Sequence, residues 1–235
     1  MPEGQHHEAV IEVEGLTKTF KVGDNEIRAL KGIDLSVHAT EFLVVFGPSG
    51  CGKTTLMNII AGIDTPTKGT VKVRGTNIFA LKDEARGIFR SEKMGIIHQM
   101  SYWAKSLSVL ENVALPLIIE GQSEKSSLEQ AQKVLDTLDI SELAKQRPTQ
   151  LSGGQQQKVG FARAMISSPW IIFADEPTGN LDSKSAEEIM LLFKELNEQH
   201  KRTIILITHN KEYWELGNRR IEMKDGQISK DSKHG

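Results

Sequence analysis

The sequence predicts an α/β fold in which helices flank a largely parallel sheet, and three observations carry that expectation. "FLVVF" (Phe42–Phe46) is apolar at every position, as a parallel strand buried on both faces must be. It runs straight into the glycine-rich "GPSGCGKTT" (Gly47–Thr55), a strand-to-helix loop. Farther on, the strand-like "WIIFAD" and "TIILITH" are separated by the helical "SAEEIMLLFKELNEQH", which is the β-α-β rhythm of a parallel sheet.

Taken in order, residues 1–8 are polar and aperiodic and are expected to form a flexible tail. A single domain is expected over 9–230, with a second short tail over 231–235. "VIEVEG" and "IDLSV" alternate as half-buried strands do, and "FLVVF" is the first fully buried one. "TTLMNIIAG" reads as a helix closed by Gly62, and "GTVKVRG" as another alternating strand. From about 91 to 163 helical patterns dominate and predict an inserted helical region. Its clearest helix, "SSLEQAQKVLDTLDI", sets Leu128, Ala131, Val134, Leu135 and Leu138 on one face. The chain closes on "RRIEMKDGQIS", a hairpin turning at Asp225-Gly226.

Composition narrows the function classes. With 235 residues, 38% of them hydrophobic, the chain can bury a sizeable core. Lys and Arg total 29 against 31 Asp and Glu, which lacks the footprint of a general nucleic-acid binder, so no nucleic-acid partner is expected. No apolar run approaches the roughly 18 residues that cross a bilayer. The start "MPEGQHHEAV" has no secretory pattern, and one cysteine, Cys51, suits a reducing compartment, so a cytoplasmic location is expected.

Gly47 to Thr54 fits G-x-x-x-x-G-K-[ST], in the strand-loop-helix context this phosphate-binding motif requires. Gly47, Pro48, Ser49, Gly50, Cys51 and Gly52 form the cradle, whose backbone amides and following helix dipole favour an anion. Lys53 is placed to reach the β and γ phosphates, Thr54 to put its hydroxyl on Mg²⁺, and Thr55 to support an α-phosphate contact. Cys51, in this loop near Lys53, is expected to react readily with a maleimide and more slowly once ATP is bound. At the end of "WIIFADE", Asp175 is placed to hold the metal and Glu176 to act as general base toward a water. "LSGGQQQKVGFARAM" then supplies a second helix N-terminus with a good cap at Ser152, hence a second anion site.

On these residues the chain resembles the ATP-binding subunits of ABC transporters, from about Ile11 to Ile228. "LSGGQ" (Leu151, Ser152, Gly153, Gly154, Gln155) is that family's signature, and Gln155 stands 20 residues before Asp175. The resemblance implies a P-loop NTPase (RecA-like) parallel-sheet core with an antiparallel β subdomain and an inserted α-helical subdomain. It implies a homodimer in which each signature closes over the γ-phosphate held by the other subunit's glycine loop, giving two shared MgATP sites. It also assigns Gln99 to the Mg²⁺ shell and His209 to the γ-phosphate, places Asp182 of "GNLDS" beside the interface, and stacks Phe20 on adenine.

"DEPTGNLDS" and "ENVALPL" resemble the branch containing lipoprotein-release, macrolide-export and peptide-antibiotic-resistance ATPases together with a cell-division relative. This implies an ATP hydrolase attached to a separate transmembrane permease at the inner face of the cell membrane. The alternative is a regulatory ATP-dependent clamp on a membrane partner without transport. DNA-repair relatives need a long coiled coil between loop and signature, and the 99 positions from Lys53 to Ser152 leave no room for one. Ribosome-acting relatives carry two cassettes, and this chain has one. His98, Lys158, Gly160 and the run "SYWAKSLSV" depart from the branch's usual residues, and Tyr102, Trp103 and Lys105 of that run lie between Gln99 and Leu117, where the resemblance implies that the membrane partner docks.

Overall fold

A computed structural model describes residues 9–99 and 102–233. In chain order the strands are β1 (Ala9–Val22), β2 (Asn25–His38), β3 (Phe42–Phe46), β4 (Lys68–Val73), β5 (Thr76–Asn77), β6 (Met94–His98), β7 (Ile171–Asp175), β8 (Thr203–Ile207), β9 (Arg219–Lys224) and β10 (Gln227–Lys233). The helices are α1 (Lys53–Ile60), α2 (Asp83–Lys93), α3 (Val109–Ile119), α4 (Glu124–Thr137), α5 (Gly153–Met165) and α6 (Ser183–Glu198). The described residues divide into two compact units, one of 9–87 with 197–233 and one of 88–196. No helix among them is long and apolar enough to cross a membrane.

The first unit holds an antiparallel sheet ordered β2-β1-β4-β5 and a run of strands ordered β10-β9-β3-β8. Along β1 the alternation breaks at Gly15, whose φ of 56° accompanies a register shift between Val13 and Leu16. That irregularity turns Leu16 as well as Ile11 and Val13 inward, against Val71 and Val73 of β4 and Leu35 of β2. β3 pairs parallel with both β8 and β9, and β8 is buried at every position, which explains its unbroken apolar run. The Asp225-Gly226 turn has positive φ at both residues, as a two-residue hairpin requires.

The final strand is longer than the sequence indicates. Residues 231–233, expected as a tail, continue β10 because Arg219 grips Asp231 with two bonds, Nε to Oδ1 at 2.8 Å and Nη2 to Oδ2 at 2.6 Å. The tail expected over 1–8 lies outside the described residues.

In the second unit β6 and β7 pair in parallel from Met94↔Ile171 to His98↔Asp175. Helices α3, α4 and α5 pack around Val113, Leu117, Ala131, Leu135, Leu143 and Val159. Of the face expected on α4, Ala131 and Leu135 are fully buried, and Leu128, Val134 and Leu138 pack partly buried against them. Two features of this stretch differ from the helical expectation over 91–163. β6 lies inside it as a strand, "MGIIH", whose apolar run is interrupted by Gly95 and ended by His98. The helix α2 starts earlier, at Asp83, and buries none of its residues, so it has no apolar stripe to announce it.

Candidate functional site

In the first unit, residues 47–52 join β3 to α1. Gly52 caps the helix in the left-handed region at φ 105°, and a Cβ there would sit 2.7 Å from the Ala29 carbonyl oxygen, so the turn admits only glycine. Lys53 folds its ammonium back over the loop, donating to the carbonyls of Gly47 at 2.8 Å and Pro48 at 3.0 Å. The loop is thus a closed ring of backbone with a cation at its mouth and the positive end of α1 behind it, an arrangement that suits a phosphate chain.

Cys51 is buried, its Sγ 4.0 Å from the Lys53 ammonium and its carbonyl accepting the Gly226 N–H at 3.1 Å. This corrects the expectation of ready maleimide labelling, since a reagent must first reach a thiol that is 5% exposed. Phe20 is 38% exposed, paired across the hairpin with Ile27 and with the Lys18 ammonium 4.8 Å from its ring centre. Its ring is thus partly exposed, with the Lys18 ammonium over one face. His209 stands two residues beyond the end of β8 and is exposed, on a turn fixed by the Asn210 N–H donating to Thr208 Oγ1 at 3.0 Å.

The second unit gathers the remaining candidates. Asp175 ends β7, and Glu176 after it has a φ of 47°, a left-handed conformation that costs a β-carbon residue energy. The turn that holds it there is closed by the Gly179 N–H donating to the Glu176 carbonyl at 3.1 Å. Gln99 lies against the same turn, donating from Nε2 to Asn180 Oδ1 at 3.5 Å, and a Cβ on Gly179 would come within 2.6 Å of that nitrogen.

The signature opens α5 with a reciprocal cap. Ser152 Oγ accepts the Gln155 N–H at 3.3 Å, and Gln155 Oε1 accepts the Ser152 N–H at 2.9 Å. Gly154 has no room for a side chain, because a Cβ would lie 2.6 Å from Ser185 Oγ. Ser185 in turn is fixed by Asp182, whose Oδ1 accepts the Ser185 N–H at 3.0 Å and whose Oδ2 accepts the Ser185 hydroxyl at 2.7 Å. The backbone bond first, and the hydroxyl bond second, hold the Asp182 carboxyl below the usual carboxylate range. The signature glycines and the Asp182 turn are therefore one packed assembly.

Sequence reasoning missed several members of this region. His98 pairs with Asp175 in the strand register and is half-buried. Burial lowers its pKa, opposed by Asp175 and aided by the Arg163 charge. Gln157, 4% exposed, donates to the His98 carbonyl at 3.2 Å. The signal available for it was the unusual run of three glutamines after "SGG", which nothing in helical periodicity explains. Among the described residues no cluster of three His, Cys, Asp or Glu side chains could hold a metal. The donors expected for Mg²⁺, on Thr54, Gln99 and Asp175, are all oxygens, the hard ligands that this ion takes.

A phosphate loop of this geometry, a strand-end acid pair and a second capped helix N-terminus define a nucleotide-binding cassette. Residues 30–179 match the family described as ABC transporter. The chain belongs to that family and is an ATP-binding cassette of it. It is 41% identical over 95% of its length, and 97% of the relative's, to an uncharacterised ABC transporter ATP-binding protein, MJ0796, of Methanocaldococcus jannaschii. It is 35% identical to the lipoprotein-releasing system ATP-binding protein LolD of Alcanivorax borkumensis, across 93% of this chain and 96% of that one. A macrolide export ATP-binding/permease protein MacB, from Aggregatibacter actinomycetemcomitans, is 43% identical over 95% of this chain, which spans 34% of the exporter. Among solved structures, a dimeric post-hydrolysis state of MJ0796 bound to ADP and Pi superposes with a TM-score of 0.89, at 39% identity, over 95% of this chain and 98% of that one.

Proposed function

We propose that this cassette dimerises around two MgATP and uses their hydrolysis to drive a separate membrane-spanning partner of the lipoprotein-release or macrolide-export type. The observation that carries the reading is the capped N-terminus of α5 at Ser152, a second anion-type helix end on a chain with one Lys-bearing glycine loop. Two helix ends and one lysine suit a site completed by a second copy. The dimeric relative bound to ADP and Pi supports the same arrangement, and the LolD and MacB relatives support the kind of partner.

Within that site, Phe20 stacks on the adenine, and the loop amides from Gly47 to Gly52, with Thr55, embrace the phosphates. Lys53 neutralises charge on the β and γ phosphates, and the opposing signature, Leu151 to Gln155, closes on the γ-phosphate with its helix N-terminus. Thr54, Gln99 and Asp175 hold Mg²⁺, which when bound spreads the charge of the phosphates and fixes their orientation. Glu176 orients and polarises the attacking water, and His209 contacts the γ-phosphate, while Asp182 holds the turn beside the interface. Catalysis on this reading is mainly positioning and electrostatic stabilisation. The protein acts at the cytoplasmic face of the membrane through its partner.

Complementation tests the shared site. Lys53→Ala and Ser152→Phe are each expected to abolish hydrolysis alone. Mixed, they regain part of the native rate, because each mixed dimer has one site with both defects and one with neither. A mixture as silent as its components means that loop and signature of one chain serve the same site, and overturns the head-to-tail reading.

A further inference from the structure

The strip of chain after β6 is fastened to the signature helix by three side chains of that helix. Gln157 Nε2 holds the His98 carbonyl at 3.2 Å. Arg163 Nη1 donates to the Tyr102 carbonyl at 2.6 Å, and its guanidinium carbon lies 4.3 Å from the centre of the Trp103 ring. Gln156 Oε1 accepts the Trp103 indole N–H at 3.1 Å. From the other side, the fully buried Asn112 of α3 clasps Ala104, accepting its N–H at 3.0 Å and donating to its carbonyl at 3.1 Å. Trp103 is thus clamped between α3 and α5, while its neighbour Tyr102 is 78% exposed.

Gln156 has a second bond. Its Nε2 donates to the carbonyl of Leu151, the first residue of the signature, at 3.2 Å. An indole N–H can only donate, so it forces the oxygen of the Gln156 amide toward Trp103 and leaves the NH₂ end for Leu151. Without that indole bond the amide loses the contact that fixes its orientation, and the hold on the Leu151 carbonyl weakens with it.

We propose that Trp103 and Gln156 are positioning residues for the signature: the indole orients the Gln156 amide, which holds the Leu151 carbonyl and so sets the geometry in which Ser152 caps α5. The inference rests on the reading that the signature closes on ATP held by a second copy. It gives Trp103, one of the residues in the unusual run after β6, a role in ordering the signature.

The test uses the full chain carrying Glu176→Gln, so that ATP-bound dimers persist. Trp103→Phe keeps an aromatic ring beside Arg163 while removing the indole N–H and part of the ring, whose packing loss melting reports; Gln156→Met removes both amide bonds, and the double variant combines them. Light scattering reads ATP-driven dimerisation, a fluorescent ATP analogue at high dilution reads nucleotide affinity of the isolated glycine loop, and melting reads stability. Each single change is expected to raise the protein concentration at half-dimerisation about fivefold with nucleotide affinity unaltered, and the double to be no worse than the weaker single. Unaltered dimerisation in the singles, or a double effect equal to the product of the two, overturns the proposal. A parent Glu176→Gln protein that never dimerises with ATP instead overturns the shared-site reading beneath it, before any Trp103 variant is compared.

Discussion

At the residue scale, Gly154 is a demanding position in the signature. It has an ordinary helical backbone, so its need for glycine comes from contact alone, with Ser185 Oγ 2.6 Å and Ser185 Cβ 2.9 Å from where a Cβ would stand. Gly154→Ala must push Ser185 aside and loosen the Asp182 turn that Ser185 anchors. ATP-driven dimerisation is expected to weaken about tenfold, equivalent to about 1.4 kcal/mol, with nucleotide binding by the glycine loop unaltered. Adding Ser185→Gly is expected to restore part of it; scattering measurements on the two variants check both outcomes. Glu176 is the opposite case. Its left-handed backbone is a strain that no motif announces, and it sits where the acid pair was expected to turn toward a water.

Among the elements, the β9–β10 hairpin depends on Arg219, which is 6% exposed and reaches Asp231, Glu41 and the Ser36 carbonyl. The hydrogen bonds from Arg219 depress the Asp231 pKa, despite partial burial that raises it. A carboxylate depressed in the folded state adds stability above its unfolded value of about 3.9, and that stability is lost as pH falls through the folded value. Asp231→Asn is therefore expected to cost about 1 kcal/mol near neutral pH, modest because the carboxylate is partly solvated. Below that window the gap to the native chain should close. Melting curves at pH 7 and pH 3 check the sign, and a gap that widens in acid contradicts it.

Legibility also differed among elements, for physical reasons. β3, β7 and β8 are buried on both faces and so appear as unbroken apolar runs, and α4 shows its stripe because it has one buried face. α2 buries nothing, and β6, "MGIIH", has its apolar run broken by Gly95 and His98, so neither has a pattern to read. The extension of β10 to Lys233 depends on one ion pair with Arg219, 12 residues away, which a local reading cannot see. The motif residues were legible because phosphate chemistry demands fixed spacings. What supports them was not, since the Ser185 contact of Gly154 and the Trp103–Gln156–Leu151 bonds join residues 31 and 53 positions apart.

For the whole molecule, one glycine loop and one signature per chain support the proposal that the cassette works as a pair. The central claim is that ATP bound at one chain's loop is sandwiched by another chain's signature and cleaved with Glu176 orienting water. Light scattering on the native chain and on Glu176→Gln with saturating MgATP, with phosphate release measured in the same samples, addresses it most directly. The account predicts a stable ATP-dependent dimer for Glu176→Gln whose hydrolysis has collapsed, and a native chain that releases phosphate and returns to monomer. A Glu176→Gln chain that remains monomeric with ATP, or that hydrolyses as fast as the native protein, contradicts it.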